Sequence, residues 1–115
     1  MEIKISKNSD NIYLVELSGA FDLYTSNQLK DLAIKIIKTK VERIIINLND
    51  VNSINSAGIG ALVYVFSTLK KLNCPLVIVA PEGPVMDALE VTRLKSYFTI
   101  VPSLQEALSV EGKGV

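Results

Sequence analysis

Two runs constrain this chain more than anything else in it: Ile44-Ile45-Ile46-Asn47-Leu48 and Leu76-Val77-Ile78-Val79-Ala80. Each is apolar at consecutive positions. A strand with one wet face alternates between apolar and polar, whereas a strand buried on both faces does not. Both runs are followed by apolar residues at helical spacing. Buried strands alternating with helices imply a mostly parallel sheet with right-handed crossovers. The 115 residues suffice for one such domain with a real core.

The remaining elements fall around these two strands. Ile3 and Ile5 alternate with charged neighbours, so Glu2–Ser6 reads as a short strand. Turn chemistry at Asn8-Ser9-Asp10-Asn11 and an apolar run from Ile12 to Ser18-Gly19 make the first two strands a hairpin. The first strand is therefore antiparallel. Thr25-Ser26-Asn27-Gln28 has capping-box spacing, with Thr25 at the cap, ahead of Leu29, Leu32, Ala33, Ile36 and Ile37. The third strand is expected over Arg43–Leu48, with a loop over Asn49–Asn55. The second helix is expected from near Ser56 to about Leu72. Pro84 suits the first position of a third helix. Tyr97–Val101 reads as a last strand, and Ser103 to Glu106 repeats the capping-box spacing before a short fourth helix. The order is β-β-α-β-α-β-α-β-α: an α/β fold of about five strands and about four helices. The domain is expected over 1–110, with a frayed tail at 111–115. Apolar spacing predicts that Ile44, Ile46, Leu62, Phe66, Val77 and Val79 are buried together.

Composition narrows the function. Twelve basic and twelve acidic residues balance, so no charge excess favours nucleic acid or an anionic membrane. Tyr13, Tyr24, Tyr64 and Tyr97 are scattered and form no base-stacking platform. There is no histidine and one cysteine, Cys74, which argues against a zinc site and a disulfide framework and reads as a buried inert thiol. No metal or cofactor is expected. The N-terminus lacks the basic-then-apolar plan of a signal peptide, so a cytoplasmic protein is expected. Val51–Leu69 carries no charge, but its asparagines, serines and glycines make a membrane span too costly.

The chemistry concentrates in Val51-Asn52-Ser53-Ile54-Asn55-Ser56-Ala57-Gly58-Ile59-Gly60-Ala61-Leu62. This is a strand-to-helix turn with hydroxyls and glycines where backbone N–H groups are open, which suits an anion, bound or covalently attached. Ser56 fits two roles from spacing alone: helix N-cap and reachable nucleophile. Gly58 and Gly60 each cost a helix roughly 1 kcal/mol against alanine. Close packing on the sheet, or close approach of a partner or a nucleotide phosphate, would offset that. In the second helix Ile59, Leu62, Val63, Phe66 and Leu69 form one apolar stripe. Ala57, Ala61, Tyr64, Val65 and Thr68 lie elsewhere, yet no charge appears before Lys70. That side is either covered by the third helix or a partner surface. Asp22 reads as a turn former.

Asn55-Ser56-Ala57-Gly58-Ile59-Gly60 resembles the signature of bacterial anti-sigma-factor antagonists of the STAS-domain family (SpoIIAA-like), in which a strand leads into Asp-Ser-(Ser/Thr/Ala)-Gly-(Leu/Ile)-Gly. The resemblance covers nearly the whole chain and includes Gly19-Ala20-Phe21-Asp22, similar to the family's Gly-x-x-Asp corner. It implies that Ser56 is the residue phosphorylated by a partner kinase. Asp22, Ser53, Asn55, Gly58 and Gly60 would then lie beside the site, and Ala57, Ala61 and Tyr64 on the partner-binding side. The implied partners are an anti-sigma-factor serine kinase and a cognate phosphatase, with no nucleic acid and no membrane insertion. One departure stands out: the family's Asp before the phosphoserine is Asn55 here. The amide keeps an acceptor oxygen and loses the charge. The resemblance implies first an antagonist that binds the kinase to release a sigma factor and is switched off by phosphorylation at Ser56; Asn55 favours the alternative, a constitutive STAS module in a stress-signalling or transporter-ATPase complex. An enzyme is disfavoured, because Ser56 lacks the usual histidine base.

Overall fold

The structure, a computed structural model, describes residues 2–109; the tail expected to fray at 111–115 lies outside them. Five strands form one sheet in the order β1-β2-β3-β4-β5: β1 (Glu2–Lys7), β2 (Ile12–Phe21), β3 (Arg43–Ile54), β4 (Leu76–Val79) and β5 (Ile100–Val101). β1 pairs antiparallel with β2 and the other neighbours are parallel. Four helices connect and flank them: α1 (Leu23–Ile37), α2 (Ser56–Lys71), α3 (Pro84–Val91) and α4 (Leu104–Ser109).

From β2 onward each parallel strand is added on the same side of its predecessor. Right-handed crossovers then place α1, α2 and α3 on one face of the sheet. Their inward residues Leu29, Ile36, Leu62, Val65, Leu69, Val85 and Leu89 pack on Val15, Ile44, Ile46 and Ile78. The opposite face is covered by α4, where Ala107 packs with Ile45, Val77 and Val79. The register pairs Ile45 with Val77 and Asn47 with Val79, so these valines point away from Ile44 and Ile46. The single cluster expected of all six residues is therefore two clusters on opposite faces. Arg43, buried on the α4 side, donates from Nη1 to the carbonyls of Ala107 at 3.1 Å and Leu108 at 3.2 Å, which ties α4 to the sheet.

Four further expectations are corrected. β3 continues through Asn49–Ile54, where a loop was expected. β2 pairs it as far as Phe21 and Ile54, past register shifts near Gly19, whose φ of 89° is costly for a side-chain-bearing residue. Ser53 is thus an exposed strand residue opposite Ala20. α1 starts at Leu23, not after Thr25. Asp22 caps it, with Oδ1 accepting the Thr25 N–H at 3.2 Å, and Thr25 is buried. The buried stripe of α2 runs through Gly58, Ala61, Leu62, Val65 and Leu69, because α1 as well as the sheet packs on it; Phe66 is only half-buried. β5 is limited to two residues, because Tyr97 and Phe98 turn aside to pack on Phe66.

Candidate functional site at the start of helix α2

The ends of β2 and β3 lie side by side, so the two corners that follow them, Asp22 and Asn55, are neighbours. The Phe21 carbonyl joins them by accepting the Asn55 N–H at 3.3 Å. Asn55, not Ser56, is the N-cap of α2. Its backbone is extended (φ −106°, ψ −175°), its Oδ1 accepts the Gly58 N–H at 3.1 Å, and its carbonyl accepts the Ile59 N–H at 3.1 Å. Asparagine caps as well as aspartate or serine, so the cap survives the loss of the carboxylate.

With the cap supplied by Asn55, Ser56 becomes the first helical residue, and it is exposed. Among the described residues its hydroxyl makes no hydrogen bond, and the N–H groups of Ser56 and Ala57 have no acceptor. The first turn of α2 contains no acidic side chain, while Lys70 and Lys71 occupy its last turn. The positive end of the helix dipole is therefore uncompensated at Ser56. An anion there gains about 0.3–1 kcal/mol.

The two glycines have different reasons. A Cβ on Gly58 would meet the Phe21 carbonyl oxygen at 2.7 Å and Ile54 Cγ1 at 2.8 Å, so only glycine lets α2 approach the β2–α1 corner. A Cβ on Gly60 would meet nothing within 4 Å. Gly60 is exposed and follows Ser56 by one turn; Tyr64, 45% exposed, follows by another. Residues four apart share a helix face, so Ser56, Gly60 and Tyr64 form one exposed stripe. Lys30 of α1 lies 5.3 Å over the Tyr64 ring and adds a cation beside the stripe.

The other residues of the expected partner surface divide. Ala57 is half-buried and Ala61 is fully buried, so Ala61 has no access to a partner. The cover over this side of α2 comes from α1, not from α3: Ala33, Ile34 and Ile37 close on Val65 and Leu69. Sequence reasoning missed the apolar side chains of the neighbouring corner. Leu23 is 63% and Tyr24 70% exposed, in the first turn of α1 beside Asp22. Their signal was present once Asp22 is read as the cap, since both then fall on an outward first turn.

A family model of the STAS domain matches residues 4–107. The chain belongs to the STAS-domain family. Solved structures of other proteins show the same fold. An anti-sigma factor antagonist from Mycobacterium paratuberculosis is 23% identical, with a TM-score of 0.76 over 94% of this chain and 92% of that one. The anti-sigma factor antagonist SpoIIAA in its unphosphorylated form is 17% identical, with a TM-score of 0.77 over 93% of each chain. A sulfate transporter family protein from Wolinella succinogenes is 18% identical, with a TM-score of 0.77 over 86% of this chain and 83% of that one. In this STAS domain no helix among the described residues is long and apolar enough to cross a membrane. The uncharged stretch from Val51 to Leu69 is divided between the end of β3 and α2.

Proposed function

We propose that this STAS domain is an anti-sigma-factor antagonist that binds a serine-kinase anti-sigma factor and is released when that kinase phosphorylates Ser56. The observation that carries the reading is the exposed stripe Ser56, Gly60 and Tyr64. A glycine that nothing in this chain requires lies one turn from an unbonded serine hydroxyl, and leaves α2 bare where another backbone can approach. In the transfer, Ser56 Oγ attacks the γ-phosphorus of kinase-bound ATP. The bond to ADP breaks, and the hydroxyl proton passes to a base on the kinase.

The phosphate adds about −1.5 to −2 charges. Within the fold it meets the open N–H groups of Ser56 and Ala57 and the positive end of α2, so it is tolerated. At the interface the same charge must be desolvated, which is unfavourable unless a basic group receives it. Phosphorylation thus breaks the complex without unfolding the domain, and hydrolysis by a phosphatase resets it. The Asn55 amide supports a second reading, a constitutive STAS module in a stress-signalling or transporter complex, because the charge beside the serine is missing.

The test is incubation with the cognate kinase and ATP, read by intact mass and peptide mapping. One phosphate on Ser56, absent from Ser56→Ala, is expected. Phosphate on Ser53 would overturn the site. Tight binding with no phosphate, even in Asn55→Asp, would favour the constitutive module.

A further inference from the structure

The far end of the molecule carries a feature the switch does not use. A groove of about 520 Å³ lies at the amino ends of β4 and β5, walled by Phe66 and Lys70 of α2, by Cys74 and Leu76, and by Tyr97 and Phe98. That volume falls within the range of small-molecule sites. From Ser56 to Lys70 along α2 is about 21 Å at the helical rise per residue, so the groove is remote from the phosphorylation corner.

Two observations indicate what would fill it. Phe66, Tyr97 and Phe98 touch one another with centroids 5.2 to 5.3 Å apart, and Tyr97 remains 40% exposed. This is an aromatic wall with an open side. The second observation concerns the edge of β4. The Ile78 N–H is donated to Thr99 at 2.9 Å and the Ala80 N–H to Val101 at 3.1 Å. The N–H of Leu76 points the same way, because alternate residues of a parallel strand face the same neighbour. The acceptor it would meet in a continued strand is the Tyr97 carbonyl, but Tyr97 has turned aside. Among the described residues the Leu76 N–H has no acceptor. A donor at a buried residue is costly to leave unpaired, and Leu76 is one of the residues that line the groove. Lys70 supplies the cation of the lining, and among the described residues its ammonium makes no ion pair. Glu42 lies close enough to Cys74 to act on its thiol, but it is not part of the lining.

We propose that this groove binds a small aromatic carboxylate, with the ring against Phe66, Tyr97 and Phe98 and the carboxylate shared by the Leu76 N–H and the Lys70 ammonium. The carboxylate takes the place of the carbonyl that β5 withdraws. A ring without an acid would leave the Lys70 ammonium without a counter-charge, and an acid without a ring would leave the aromatic wall wet.

Phenylacetate, benzyl alcohol and acetate are titrated into the 15N-labelled chain, with alkylation of Cys74 as a second readout. Phenylacetate should shift the Leu76 and Thr99 amides saturably and slow the alkylation. Lys70→Gln should weaken it about fivefold, as expected for a partly exposed ion pair. Benzyl alcohol and acetate should each bind at least tenfold more weakly. No saturable shift at Leu76, or equal affinity for acetate and phenylacetate, would overturn the proposal. So would an unchanged affinity in Lys70→Gln, whose side chain is exposed and whose loss leaves the core intact.

Discussion

Alanine at Gly58 and at Gly60 should move stability in opposite directions, although the two positions lie in the same two turns of one helix. Helix propensity alone favours both substitutions by up to about 1 kcal/mol. At Gly60 nothing opposes that gain, because a Cβ there meets no atom within 4 Å. Gly60→Ala should therefore stabilise the domain by about 0.5–1 kcal/mol, or a few degrees in Tm. At Gly58 the new methyl would lie 2.7 Å from the Phe21 carbonyl oxygen and 2.8 Å from Ile54 Cγ1. The half-buried Ile54 side chain can yield. The carbonyl cannot, since it is backbone and holds the Asn55 N–H. Overpacking of this kind costs about 1–3 kcal/mol. Taken from the upper part of that range, because the obstacle is backbone, and set against the propensity gain, Gly58→Ala should lose about 1–2 kcal/mol. Urea denaturation of the two variants beside the parent gives both values. Equal stabilisation of both would refute the close seat of α2 on the Phe21 corner, and with it the placement of Ser56.

Three more outcomes follow from the same geometry. Asn55→Ala should cost about 0.5–2 kcal/mol through loss of the cap on α2, whereas Asn55→Asp should hold or slightly raise stability; thermal melts separate the two. Phe66→Ala should cost less than the roughly 3–5 kcal/mol of a fully packed phenylalanine, because Phe66 is half-buried, while Val65→Ala should prove destabilising in the same denaturation series. Burial, reinforced by the charge of Glu42, pushes the Cys74 thiol above its ordinary pKa. Its alkylation near neutral pH should be slower than that of a free cysteine and should rise only at higher pH, followed with a chromogenic thiol reagent.

The strands and helices were legible where a strong period carried them. Ile44–Leu48 and Leu76–Ala80 pointed to a parallel sheet because strands covered by helices on both faces carry apolar residues consecutively. The hairpin of β1 and β2 followed from alternation and turn residues. What escaped depended on neighbours that a linear reading does not supply. The polar tail of β3, Asn49–Ile54, looks like a loop, since Val51 alone is fully buried and Ile54 only partly; it is a strand because β2 pairs it. The caps at Asp22 and Asn55 were displaced to Thr25 and Ser56 because each capping carboxylate or amide is followed closely by a hydroxyl that also fits. For Ser56 that difference matters most: a capping serine has its oxygen engaged, whereas the first helical serine has it free. The stripe on α2 is rotated toward α1, which closes on Val65 and Leu69. β5 was overestimated because Tyr97 and Phe98 have strand propensity but are spent on Phe66.

If Ser56 is the phosphoacceptor proposed above, a phosphate there ends partner binding while the fold persists. The most direct test is the affinity of the cognate serine-kinase anti-sigma factor for two forms of this chain, one unmodified and one with phosphoserine installed at position 56. Calorimetry gives the affinities, and amide spectra of the free proteins report the fold. The phosphorylated form should bind at least about a hundredfold more weakly, a loss of about 2.7 kcal/mol, with amide shifts confined to the start of α2 and the Asp22 corner. Equal affinity of the two forms, or a phosphorylated chain whose core amides at Ile45 and Ile78 have moved, would contradict the proposal.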